Sequence, residues 1–259
     1  MRLFNRVLFF GVTFLLVLSC FAACKDSENH GKEESTVDWD RAMADYKELV
    51  IVHATNASDS VVSLCNALRD RLEEKTDLCV TLQSDSTAPY ESADGRGYLL
   101  IGDTEFALSG EASQLGSNGS VVFLSENDST AIYTEDDTLA WVGVQLYLNE
   151  YLKNNMLAIG GSRRERIEEL SSYTSDGWEL PFPAYTHGRL DKTLYSCGTG
   201  ADTTEERSEM HLIKKTNESE FDEYLSHLAS MGYTVTFRNE IDGNRYTAIS
   251  DLLGNHFYV

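Results

Sequence analysis

Leu49-Val50-Ile51-Val52 is apolar at every position and rich in β-branched residues. Such a run, too short for a helix of its own, reads as a buried strand. Asn56 and Ser58 follow as helix N-caps. Val61, Leu64, Cys65, Leu68 and Leu72 then recur at helical spacing, with Arg69, Asp70, Arg71, Glu73 and Glu74 on the other side. That is the pattern of an amphipathic helix. A second apolar run, Leu78 to Leu82, reads as the next strand. Strand, helix, strand in this order calls for helices layered on a sheet, and it constrains everything downstream.

The pattern continues. Thr87 to Gly97 holds Pro89, Gly95 and Gly97 and reads as a loop, and Tyr98 to Ile101 reads as a third strand ending at Gly102-Asp103. Val121 to Leu124 and Thr130 to Tyr133 flank Glu126-Asn127-Asp128, which makes a hairpin. Asp136 or Asp137 caps a helix carrying Leu139, Val142, Leu146, Tyr147 and Tyr151. Trp141, Val144 and Leu148 fill its other side, so it should be covered all round. Residues 157 to 183 form a connector, with a short helix over Arg163 to Leu170 and an extended stretch from Gly177 to Pro183.

A second unit starts near Ala184. Thr193 to Cys197 and Met210 to Lys215 read as strands around the polar loop Gly198 to Ser208. Thr216 or Asn217 caps a helix with Phe221, Tyr224, Leu225, Leu228 and Met231 on its apolar face, and Gly232 ends it. Tyr233 to Asn239, Arg245 to Ser250 and His256 to Val259 are three further strands. The expected fold class is α+β in two small domains. Residues 46 to 156 form a mixed sheet with two main helices. Residues 184 to 259 form an antiparallel sheet with one helix, in the order ββαβββ. The chain stops inside a strand, which leaves room for a longer polypeptide.

Across its 259 residues the chain is 42 % hydrophobic, which excludes a mainly disordered protein. Its net charge of −21 repels nucleic acid and anionic headgroups, so DNA and RNA are not expected partners.

The N-terminus carries an address. Arg2 and Arg6 precede an apolar run from Val7 to Ser19. The run is too short to span a bilayer and has the layout of a secretory signal. Val17-Leu18-Ser19-Cys20 and Phe21-Ala22-Ala23-Cys24 both have the form of a bacterial lipobox, in which the thiol takes a diacylglycerol. Cys24 is the better site, with Ala at both preceding positions and a polar chain after it. Cys20, with Val17 three residues before it, is the alternative. An ordinary signal peptide that happens to contain cysteines is the plainer possibility. On this reading residues 1 to 24 are a lipoprotein signal and residues 25 to 45 a polar tether. The protein is then held on the outer face of the cytoplasmic membrane, with the bilayer as a partner through its acyl chains.

Two stretches resemble known families. Glu48 to Val52, the helix ending Ala67 to Thr76, Leu99 to Thr104 and the helix from Asp137 resemble the non-catalytic N-terminal domain of bacterial α-glucuronidases and β-N-acetylhexosaminidases. The resemblance implies a domain that packs beside a catalytic barrel and carries none of its carboxylates. Phe182 to Tyr185, Leu194 to Gly198, Glu220 to Gly232 and Arg238 to Asn244 resemble a module of surface proteins of Gram-positive anaerobes. That module precedes a metallo-β-lactamase-fold hydrolase domain. The hydrolase's His-x-His-x-Asp-His motif does not occur in this chain.

No complete catalytic constellation stands out, and no catalytic, metal or cofactor residue is expected. His30, His53, His187, His211, His227 and His256 are scattered, with no two at ligand spacing on one element. Cys65, Cys79 and Cys197 read as buried free thiols. Gly198-Thr199-Gly200 lacks the Lys-Ser/Thr of a phosphate loop. Asp136 and Asp137 read as helix N-terminal charges, and the carboxylate pair Glu168/Glu169 is unremarkable in so acidic a chain. The sequons at Asn56, Asn118, Asn127 and Asn217 read as turn chemistry. Trp178, Phe182 and Tyr185 are the one aromatic cluster outside a clear element. Exposed, they would stack on a sugar face; packed, they would pin the connector, which is the commoner use of such rings. The expected function is a lipid-anchored extracellular scaffold or recognition module, with glycan as ligand by family analogy alone. The alternatives are the accessory part of an exported hydrolase and, less well matched in size, a transporter's solute-binding protein.

Overall fold

A computed structural model describes Trp39 and residues 46–87, 95–152, 161–170, 182–197, 207–241 and 244–259. The described residues belong to one compact unit, Glu34–Val259. The fold class is α+β.

The strand at Leu49–Val52 is the inner strand β1 (Glu48–His53). It pairs in parallel with β2 (Cys79–Ser84) on one side and β3 (Arg96–Ile101) on the other. Between β1 and β2 runs α1 (Asp59–Lys75). Ser58 caps it, its side chain accepting from the Val61 N–H, and Lys75 sits in its last turn, where a cation complements the helix dipole. After β3 comes α2 (Ala107–Leu115), then the hairpin β4 (Ser120–Asn127) and β5 (Ser129–Thr134). Asn127 turns it at φ 52°, a conformation that asparagine tolerates. β5 slots between β3 and β4, parallel to β3 and antiparallel to β4. α3 (Asp137–Leu146) follows, capped by the Asp136 carboxylate on the Thr138 N–H at 2.8 Å, and continues as a π-helical turn over Tyr147–Leu152.

The sheet has the order β2-β1-β3-β5-β4-β6. Its outer strand, β6 (Gly161–Glu169), corrects the expected short helix over Arg163 to Leu170. Arg and Glu are good helix formers, but β4 presents a full ladder of N–H and C=O groups. Pairing those outweighs a small difference in propensity. The charged strand also blunts the sheet edge against pairing with another chain. α2 was not legible in the sequence at all, because its inward face uses Leu108, Ser109 and Ala112 rather than large residues.

Alternation along the strands divides the core. Leu49, Ile51, Leu99, Ile101, Val121 and Phe123 face α1 and α3. Val50, Val52, Tyr98, Leu100, Val122 and Leu124 face α2. α3 lies so close to β4 that a Cβ on Gly143 would come within 2.9 Å of Val121 Cγ2. As its all-round apolarity implied, α3 is covered on both sides, because the C-terminal part of the chain packs over it.

That part contains a ribbon of β7 (Arg189–Cys197) and β8 (Arg207–Lys214), then α4 (Glu218–Ser230), and a sheet of β9 (Thr234–Ile241), β10 (Asn244–Ser250) and β11 (His256–Tyr258) in the order β11-β10-β9. The expected single antiparallel sheet is therefore two. β7 and β8 pair only with each other among the described residues, and Leu190, Leu194 and Leu212 on them stay exposed. Asn217 caps α4 in a full capping box with Glu220. The last strand has its partner within the chain: β11 pairs with β10, and Val259 exchanges both backbone bonds with Thr247.

The core facing α1 and α3 runs on into this part without a break. Tyr224, Leu225, Leu228, Met231, Tyr233, Ile249, Leu252 and Leu253 belong to it. Gln145 of α3, 1 % exposed, ties the two parts together. Its Nε2 donates to Met231 O at 3.0 Å and its Oε1 accepts from the Leu252 N–H at 2.8 Å. Arg71 of α1 adds a bond from Nε to Leu252 O at 2.8 Å. The described residues of these two parts thus share one hydrophobic core.

Candidate functional site

The connections after β1 and β3 leave the sheet on opposite faces, to α1 and to α2. Open sheets with parallel strands place ligands beyond the carboxyl ends of the strands at such a reversal. Here the turns after β1, β2 and β3 are knotted by one side chain. Asp85, 9 % exposed, accepts from the Thr55 N–H at 2.8 Å and the Thr55 hydroxyl at 2.5 Å through Oδ1, and from the Glu105 N–H at 3.0 Å through Oδ2. Burial pushes its pKa up, but these bonds, with one from the Ser86 backbone, outweigh burial and hold the carboxyl below its usual range.

Beside this knot lies a cavity of about 510 Å³. It runs along the α2 face of the sheet, over Leu100 and Leu108, to the β4–β5 hairpin at Glu126, Asn127 and Ser129. Phe106 forms a wall, its ring tilted against Tyr98 at 6.0 Å between centroids. Phe106 is also the N-cap of α2 and offers no side-chain acceptor, so the first-turn N–H groups at Ala107 and Leu108 lack a side-chain cap. Carboxylates of Asp85, Glu105, Glu111 and Glu126 rim the space. Arg163, brought in by β6, pairs with Glu111 at 2.5 Å and lies 3.9 Å from Glu126. The cavity thus offers an aromatic face, backbone donors and several acceptors within one small volume. Such a set can hold a molecule with apolar C–H faces and hydroxyl edges.

None of these lining residues was read as a ligand site from the sequence, where Glu126 and Asn127 stood out only as turn residues. They come from turns, a hairpin and the one unrecognised helix, and topology alone brings them together. A polar turn residue in a chain with 42 Asp and Glu residues carries little signal of its own.

The aromatic cluster proposed from sequence is placed differently. Phe182 is 4 % exposed, stacked on Phe257 at 4.2 Å and edge-on to Tyr233 at 5.1 Å. Its faces are taken by the protein, so a ligand-stacking role for Phe182 does not stand. Tyr185 is half-buried, edge-on to Tyr224 at 5.0 Å, with its hydroxyl bonded to Thr216. The Tyr224 hydroxyl donates to Pro183 O at 2.6 Å. Phe182 and Tyr185 pin the chain onto α4 and β11. Trp178, the third member, lies outside the described residues, as do Cys20 and Cys24.

Of the thiols, Cys65 is buried as expected, and desolvation pushes it up to about 12, out of reach of thiolate chemistry. Cys79 corrects the expectation of a buried thiol: it starts the outer strand β2 and is exposed. The Cys197 side chain lies outside the description. His53 closes β1 with Nδ1–H donating to Ala54 O at 2.8 Å. Among the described residues no three His, Cys, Asp or Glu side chains are grouped to hold a metal ion, and no helix is long and apolar enough to cross a membrane. No protein-family model matches the chain, and a search of curated proteins finds no match.

Proposed function

We propose that this chain is a lipid-anchored, extracytoplasmic recognition module that holds a neutral glycan in the cavity beside α2 and does not transform it. The observation that carries this reading is the combination of the Phe106 ring, the uncapped first turn of α2 and the carboxylate rim in one cavity. A pyranose presents C–H groups to an aromatic face and hydroxyls that both donate and accept. The ring suits the first, the carboxylates and helix N–H groups the second. The rim and the net charge of −21 disfavour glycans carrying uronic or sialic acids.

We infer binding without turnover from the role of the most buried carboxylate of the site. Glycoside hydrolysis needs a carboxyl group whose pKa is raised so that it can protonate the leaving oxygen. Asp85, the most buried carboxylate of the cavity, is shifted the other way and is committed to three backbone and hydroxyl donors of neighbouring turns. The resemblance of residues 48 to 153 to accessory domains of glycan-cleaving enzymes supports the choice of ligand by analogy. The leader, with its two lipoboxes, supports the location.

A glycan array probed with the full chain in detergent tests the reading. Retention on neutral glycans, with acidic ones left unbound, is the expected result. A blank array, or release of reducing sugar from a bound glycan, refutes it.

A further inference from the structure

We propose a second glycan-binding surface, separate from the cavity: the outer face of the β9–β10–β11 sheet, which takes an extended, neutral pyranose chain lying across the strands. The inference rests on the glycan-binding reading only for the class of ligand. The surface itself is read from the sheet.

The register places Phe237 of β9 and Tyr258 of β11 on either side of Ala248 in β10. Tyr246 lies two residues along β10 on the same face. Phe237 is 44 % exposed, Tyr246 47 % and Tyr258 67 %, whereas Ala248 between them is only 6 % exposed. The three rings therefore stand around a small-residue floor. Strands lie about 4.8 Å apart, so Phe237 and Tyr258 are roughly 10 Å apart across the sheet. That matches every second sugar of an extended pyranose chain, since one ring advances only about half that distance, and each of those two sugars can lay its C–H face on a ring.

The charges of this sheet are sorted by face. Arg245 lies on the α4 side, its guanidinium bonded to Glu218 at 2.8 Å and Asp222 at 2.6 Å and set over the Phe221 ring. Arg238 and Glu240 share that side by register. Over the rows from Tyr246 to Ser250, the outer face has Asn239, Thr234, Ser250 and the exposed imidazole of His256 beside the rings and, among the described residues, no carboxylate, lysine or arginine. In a chain that is 24 % charged, a patch of aromatic, amide, hydroxyl and imidazole groups with no carboxylate, lysine or arginine fits an uncharged polyhydroxyl partner.

The test is calorimetric titration of the full chain in detergent with cellohexaose and chitohexaose as neutral chain probes and with the matching monosaccharides. Wild type should bind a hexaose more tightly than its monosaccharide. Phe237→Ala combined with Tyr258→Ala should weaken hexaose binding by at least about tenfold, since it removes two stacking contacts. The melting temperature should fall only slightly, because both side chains are exposed, at 44 % and 67 %. Phe106→Ala, in the cavity, should leave the hexaose preference in place. Wild-type hexaose affinity in the double variant overturns the proposal, as does failure of wild type to bind either hexaose. Monosaccharide binding that Phe106→Ala abolishes, without hexaose preference, overturns this surface and leaves the cavity reading standing. A wild-type dimer that the double variant makes monomeric, with no change in glycan affinity, also overturns it, by showing that the face is covered by a second copy.

Discussion

Gln145→Ala is expected to destabilise the protein by about 2–5 kcal/mol, because it strands two buried backbone groups that each cost roughly 1–3 kcal/mol when unpaired. The side chain is nearly inaccessible and satisfied at both ends, by Met231 O and the Leu252 N–H. Among the described residues no other group bonds the Leu252 N–H. At roughly 2–4 °C per kcal/mol for a domain of this size, the melting temperature should fall by about 5–15 °C. Gln145→Leu, which keeps the volume but not the polar atoms, should cost nearly as much and so separates hydrogen bonding from packing. Because one core spans α1, α3, α4 and β10, the wild type should melt in one transition followed by calorimetry. An unchanged melting temperature in both variants, or two well-separated transitions in wild type, contradicts this account of how the two parts are joined.

The second large effect is on location. Replacing both Cys20 and Cys24 by Ala should move nearly all of the protein from the membrane fraction to the soluble exported fraction. A single acyl chain binds a bilayer only marginally, and the two or three chains of a processed lipoprotein hold it stably. Removing the thiol removes every chain at once, and no described helix could take over as an anchor. Cys24→Ala alone should release the protein while Cys20→Ala alone should not, and inhibition of lipoprotein processing should accumulate the uncleaved precursor. Retention of the double variant in the membrane fraction means that something other than acylation holds it there.

How much of this was visible beforehand depends on what each segment had to bury. β1, α1, β3 and the β4–β5 hairpin were legible because their inward positions carry large apolar residues at period two or 3.6. The caps at Ser58, Asp136 and Asn217 were each legible as one of two nearby candidates, because local hydrogen bonding makes them, independent of the rest of the fold. β6 was not, because its nine residues are mostly charged and it exists to satisfy the edge of β4, a fact recorded in β4 and not in β6. α2 was missed because Ala112 and Ser109 suffice where the helix lies close to the sheet. The expected connector over residues 157 to 183 followed a gap in the apolar pattern, yet β6 lies within it and belongs to the six-stranded sheet. Among the bonds that join the two parts are those of a single glutamine in an apolar helix, whose partners are backbone atoms 86 and 107 residues away.

The site was less legible still. Phe182 and Tyr185 were conspicuous as aromatics near prolines, and both pack against rings of the C-terminal part, Phe257 and Tyr224. Asp85, Glu105 and Phe106 sit in turns whose sequences say only that the chain bends. Their meaning arises from parallel strand pairing, which brings the ends of β1, β2 and β3 together. Long-range register of this kind is set by the whole sheet and is not written in any one segment.

The central claim, that the cavity beside α2 is where a neutral glycan binds, is tested most directly by titrating the best small glycan from the array into wild type and Phe106→Ala. Loss of one stacking wall should weaken binding by about tenfold, corresponding to roughly 1.4 kcal/mol, while the fold remains intact by circular dichroism. Equal affinity of the two proteins for that glycan would contradict the claim.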